Sequence, residues 1–101
     1  VTLMICRHCA EVLQGVAAFA AEMLGTFVLV LTVGCCAIAG NAAWNPLAIA
    51  SVLMVMIYAT ASVSGGNLNP AVSFALGLSG SLPWPTVVKY WLAQLVGGVA
   101  A

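Results

Sequence analysis

The residues with the most to do chemically lie in one short run, Ser64-Gly65-Gly66-Asn67-Leu68-Asn69-Pro70-Ala71-Val72. Asparagine is among the best N-cap residues and proline is favoured in the first helical turn, so Asn69-Pro70 specifies a helix start, followed by Ala71. A helix start leaves about four backbone N–H groups unpaired and carries an effective charge of about +0.5, which attracts acceptors such as water oxygen and repels cations. With the Asn69 carbonyl used as the cap, its NH2 stays free to donate to a passing oxygen. A water held that way is hindered from relaying a proton. Gly65 and Gly66 let the backbone turn tightly without a Cβ, so that the carbonyls of Gly65, Gly66 and Asn67 can face a passage as acceptors. Taken alone, the run is also compatible with an ordinary interhelical turn, which uses the same residue types.

The elements around it decide between the two. Of 101 residues, 64% are hydrophobic and 4% charged, and the mean hydropathy is +1.20. A soluble fold of this size has too few polar residues here to cover its surface. The formal net charge is zero and there is no basic stripe to follow a phosphate backbone, so no nucleic-acid partner is expected. The predicted fold class is an all-α membrane protein. A span over about 12–40 carries only one charge, Glu22, and is long enough to cross a hydrocarbon core of roughly 30 Å. Gly40-Asn41-Ala42-Ala43-Trp44-Asn45-Pro46 collects turn formers and an interfacial tryptophan, and a second uncharged span runs over about 47–63. Residues 69–78 make a helix of about ten residues, too short to cross, ended by Gly77, Ser79 and Gly80. Pro83-Trp84-Pro85 makes a stiff corner, and a third span occupies about 86–101, with small residues at Ala93, Gly97 and Ala101 that let a neighbouring helix approach closely. Residues 1–11 form a flank.

A bilayer offers no water to loose backbone groups, so a broken segment at membrane depth survives only against protein or an aqueous cavity. A short helix between two spans is therefore expected to be a re-entrant half-helix lining a passage. Arg7 and His8 precede the first span and Lys89 opens the third, two crossings away and so on the same side. The positive-inside tendency makes that side, and the N-terminus, cytoplasmic. The first apolar stretch exceeds the length of a signal-peptide core and lacks a convincing cleavage context, so it is expected to remain in the mature protein. A start at Val1 and an end at Ala101 within an apolar pattern are what an excerpt of a longer chain would give.

At this point the motifs resemble a known family. Ser64 to Val72 resembles the first Asn-Pro-Ala signature of the aquaporin and aquaglyceroporin family, the major intrinsic proteins. Glu22-Met23-Leu24-Gly25-Thr26-Phe27 resembles that family's first-helix pattern, and Tyr90-Trp91-Leu92-Ala93-Gln94-Leu95-Val96-Gly97-Gly98 its third-helix Ala-Gln with Gly. Together they cover nearly all of residues 16–101. The resemblance implies the first of two inverted repeats, with three transmembrane helices and one half-helix making half of a passive channel for water, and for glycerol or other small neutral solutes, that excludes ions and protons. It implies a pore constriction at Asn69, Pro70 and Ala71, a partner repeat in the same chain, and a homotetramer in a lipid bilayer. A second Asn-Pro-Ala and the family's filter arginine have no counterpart here, and Arg7 cannot stand in for the latter, so the fragment by itself is not expected to conduct. The rival reading is a non-conducting, half-length assembly or regulatory partner of full-length channels.

Single residues follow from the same frame. Glu22 at mid-span costs about 2.5–3.5 kcal/mol unless it faces a partner. The resemblance implies that it accepts hydrogen bonds from pore-loop N–H groups, with Gln94 as a second brace; a proton relay is the alternative. Ile49, twenty residues before Asn69, occupies a selectivity-filter position by the same resemblance. An aliphatic side chain there implies a wider, less polar opening than an aromatic one, unless Ile49 simply faces lipid or core. Cys6-Arg7-His8-Cys9 lacks the second ligand pair of a zinc site, so no metal is expected. Cys35 and Cys36 are adjacent and read as packing residues. Met54, Met56 and Tyr58 match no cofactor motif. With His8, Glu11 and Glu22 as the chain's whole stock of histidine and acid, no catalytic set can be assembled, and neither a cofactor nor an enzyme is expected.

Overall fold

The computed structural model describes residues 2–101, with side chains from Cys9 onward. Four helices follow in order: α1 Thr2–Ala39, α2 Asn45–Ser64, α3 Pro70–Leu78 and α4 Trp84–Ala100. Nothing between residues 2 and 11 is a proline or glycine, so α1 starts at Thr2, ten residues before the apolar stretch begins. The hydropathy edge at about residue 12 marks a change of composition and not a helix boundary. The ends of the other helices also follow local chemistry. Asn45 caps the preceding turn by donating from Nδ2 to the Cys36 carbonyl at 2.8 Å, and Pro46 sits in the first turn of α2. Pro83 is the N-cap of α4, with Trp84 and Pro85 inside the helix, because a proline in the first turn removes no hydrogen bond the helix needs. The corner expected at Pro83-Trp84-Pro85 is thus itself the opening turn.

Length separates the helices by task. At 1.5 Å per residue α1 is about 57 Å long, α2 about 30 Å and α4 about 26 Å, whereas α3 is about 14 Å. Cys9–Ala39 and Asn45–Ser64 are each long and apolar enough to cross a membrane. α1 packs against both α2 and α4, and among the described residues α3 packs on α4 alone of the helices.

The interior is polar and the outside apolar. Glu22 and Ser73 are fully buried and Gln94 is 1% exposed, alongside Val87, Ala93 and Leu68. By contrast Ile38, Tyr58 and Val99 are each more than 80% exposed. In water this would be unstable, but lipid solvates the apolar exterior, and helix association then rests on close packing and interhelical hydrogen bonds. The close packing is at the α1–α4 crossing. Ala93 and Gly97 are buried there while Ala101 is exposed, and a Cβ built on Gly97 would run into the Met23 carbonyl.

Gly97→Ala should therefore force the crossing apart and destabilise the protein by about 1–3 kcal/mol. Gly34→Ala, where the added methyl meets nothing within 4 Å, should be neutral or stabilising by up to about 1 kcal/mol. Equilibrium unfolding of both variants in mixed detergent checks the pair, and equal midpoints for the two would contradict this account.

Candidate functional site

The segment between α2 and α3 is built from three left-handed residues. Gly65 caps α2 with φ +93°, its N–H donating to the Ala61 carbonyl, and Gly66 (φ +64°) and Leu68 (φ +51°) follow. Gly66 has a second reason to be glycine, since a Cβ there would sit 3.2 Å from Thr60 Oγ1 and 3.3 Å from the Ile57 backbone. Leu68 has no such freedom. A left-handed conformation costs a branched residue roughly 1–2 kcal/mol, so something must hold it.

That something is Glu22. Its Oε1 accepts the Ser64 hydroxyl at 2.6 Å and the Asn67 N–H at 2.9 Å. Its Oε2 accepts the Leu68 N–H at 2.7 Å and the Gln94 Nε2 at 2.8 Å. Two carboxylate oxygens offer about four lone-pair sites, and all four are filled by donors from α2, the loop and α4. The carboxylate thus braces the loop and α4 through four accepted hydrogen bonds. The Leu68 side chain closes the same joint from the other side. It is 2% exposed and lies where a Cβ on Gly25 would have to be, so the glycine one turn beyond Glu22 makes room for the loop.

Gln94 also donates to Ser73 Oγ at 3.0 Å, and Asn67 Nδ2 donates to the same oxygen at 3.1 Å. Ser73 thereby ties the first turn of α3 to both the loop and α4. Ser64 receives the Gly66 N–H at 3.1 Å, and its carbonyl accepts the Tyr90 hydroxyl at 2.7 Å. Four side chains to which the sequence assigned no individual role thus contribute to the site: Ser64, Ser73, Tyr90 and Trp91, whose indole donates to the Pro70 carbonyl. The available signal was their register: Tyr90, Gln94 and Gly97 fall on one face of α4, and Ser73 and Gly77 on one face of α3.

At α3 itself, Asn69 is the N-cap in an extended conformation, its Oδ1 accepting the Ala71 N–H at 2.8 Å, with Pro70 in the first turn. Asn69, Pro70 and Ala71 are exposed, as is Gly65, whereas Gly66 and Asn67 are buried and Ile49 is half-buried. Cys35 is exposed and Cys36 half-buried, both as free thiols. Cys9 is an exposed free thiol, and the side chains of Cys6, Arg7 and His8 lie outside the described residues.

An interior carboxylate on the first helix, a loop hung from it, and an asparagine-capped half-helix are arranged in the order the motifs predicted. Over residues 10–101 the sequence matches the family described as Major intrinsic protein. The chain belongs to the major intrinsic protein family. Among curated relatives it is 41% identical over 91 residues to Aquaporin Z of Brucella melitensis, covering 80% of this chain and 39% of that protein. It is 39% identical to Aquaporin NIP1-3 of Oryza sativa over 80% of this chain and 31% of the relative. To Glycerol uptake facilitator protein 3 of Lactiplantibacillus plantarum it is 37% identical, over 77% and 37% respectively. The chain thus spans between 31% and 39% of the length of these relatives. No solved structure matches it significantly. With its all-helical content and a half-helix between longer ones, the major intrinsic protein chain has the architecture of an aquaporin-like half-channel.

Glu22→Gln places an NH2 against two donors whichever way the amide turns, and should cost about 3 kcal/mol of stability. Ser64→Ala removes one of the four donors to Glu22 and the acceptor of the Gly66 N–H, and should cost less, about 1–2 kcal/mol. Unfolding midpoints in detergent test the order, and a Glu22→Gln protein as stable as the parent would show that the carboxylate does not hold the loop.

Proposed function

We propose that the complete protein is a passive channel for water and for glycerol or other small neutral solutes, and that this chain supplies one half of its constriction. The observation that carries the reading is the exposed start of α3. Asn69 Oδ1 is committed to the helix cap, which leaves the NH2 as the group that can meet a passing molecule, beside a positive helix end. The names of the relatives, which include both aquaporins and a glycerol uptake facilitator, support the solute class.

In this mechanism a neutral solute trades part of its hydration for the loop carbonyls and the Asn69 NH2, then diffuses on without energy input. The Asn69 donor orients each water by its lone pair, and the N-terminus of α3 adds an electrostatic barrier, so cations and protons are turned back. Pro70 and Ala71 complete the narrow segment, and Ile49 borders the wider filter as an aliphatic wall. The other half of the constriction comes from a second repeat in the same protein, four such proteins assemble in the bilayer, and the N-terminus is cytoplasmic. Transport by this route needs no catalytic residue, metal or cofactor.

Stopped-flow light scattering on vesicles holding the complete protein tests the proposal. Water permeability should rise severalfold above empty vesicles and glycerol should enter. Asn69→Asp, which removes the donor and adds a negative charge, should lower water flux and admit cations. Ile49→Phe should slow glycerol more than water. Permeability equal to that of empty vesicles overturns the channel reading and favours a non-conducting assembly partner, while water passage without glycerol removes the role given to Ile49.

A further inference from the structure

α3 is held in an unbalanced way. Its loop is hung from Glu22, but as a helix it packs on α4 alone among the described helices. Three contacts make that seat. Ser73 receives Gln94 at 3.0 Å in the buried layer. Gly77 lies against Val87 and Trp84, where an added Cβ would be 3.0 Å from the valine. On the outer side Phe74 meets Trp84 edge-on at 5.9 Å and Trp91 at 6.0 Å with a 31° tilt. Trp91 does one thing more: its indole Nε1 donates to the Pro70 carbonyl at 2.9 Å.

Pro70 stands between the capping Asn69 and Ala71, so its carbonyl moves as one piece with the exposed helix start. Proline has no N–H, and the Ala71 and Ser73 N–H groups are taken up by Asn69, through its Oδ1 and its carbonyl. Two directional bonds thus join α3 to α4: Gln94 holds Ser73 in the buried layer, and Trp91 holds the carbonyl of Pro70 at the exposed start itself, whereas the aromatic contacts resist separation and tolerate sliding. A slide of α3 along α4 would raise or lower the Asn69 NH2.

We infer that Trp91 is a positioning residue for the constriction: its hydrogen bond to the Pro70 carbonyl sets the height of the Asn69 donor and makes α4 the carrier of the half-helix. Its consequence for transport rests on the channel reading above; its consequence for α3 does not. Trp84 is the internal control, since it shares the ring contact with Phe74 and its indole makes no hydrogen bond among the described residues.

The test compares Trp91→Phe with Trp84→Phe in the complete protein, each keeping a ring against Phe74. Hydrogen–deuterium exchange in detergent should show residues 70–78 exchanging about fivefold faster in Trp91→Phe, the effect of one lost hydrogen bond. Trp84→Phe should change them by less than about twofold. In vesicles, Trp91→Phe should alter the glycerol-to-water permeability ratio by at least about threefold while the protein stays folded, its melting temperature falling by only a few degrees, and Trp84→Phe should leave the ratio in place. Parental exchange in Trp91→Phe, or equal effects from both variants, overturns the inference. If the parent protein conducts nothing, the channel reading fails, and the exchange arm still decides whether Trp91 positions α3.

Discussion

Everything in this structure depends on a single carboxylate accepting four donors. Glu22 receives the Ser64 hydroxyl, the Asn67 and Leu68 N–H groups and the Gln94 amide, and so joins α2, the broken segment and α4 to α1. A buried charge in hydrocarbon is tolerable only when its lone pairs are satisfied, and loose backbone N–H groups there are tolerable only when they find acceptors. Each liability removes the other. The left-handed Leu68 follows from it: the loop bends as it must to present two consecutive N–H groups to one carboxylate, and the Gly25 gap receives the side chain that the bend turns inward.

The remaining architecture distributes rigidity around that joint. The Gly97 contact with Met23 brings α4 close enough for Gln94 to reach Glu22, so backbone proximity and the polar network reinforce each other. Ser73 extends the network into α3, Tyr90 fixes the last carbonyl of α2, and Trp91 holds the Pro70 carbonyl at the start of α3. The result is a short helix whose N-terminus is exposed while its support is buried. The exposed start of α3 therefore stands on a preorganised, buried base.

The helical elements are legible in the sequence, and the joints between them much less so. The apolar stretches, the Asn69 cap, the first-turn proline and the placement of one acid in a long span are local or compositional features, and local chemistry dictates them. The helix ends were harder, as α1 and α4 illustrate: helicity continues until a residue stops it, while hydropathy changes where the solvent changes. Leu68 was invisible as a left-handed residue because nothing about leucine favours that conformation; only the Glu22 acceptor does.

What the sequence determined by itself is therefore the family, the all-helical half-channel architecture and the identity of the capped half-helix, since these follow from motif, length and composition. Tertiary structure alone decided which polar side chains meet. Ser64, Ser73, Tyr90 and Trp91 are ordinary residues at separations of 6 to 42 positions from their partners, and hydrogen bonds act over about 3 Å. Only the packing of α1 against α2 and α4 brings such distant residues within that range.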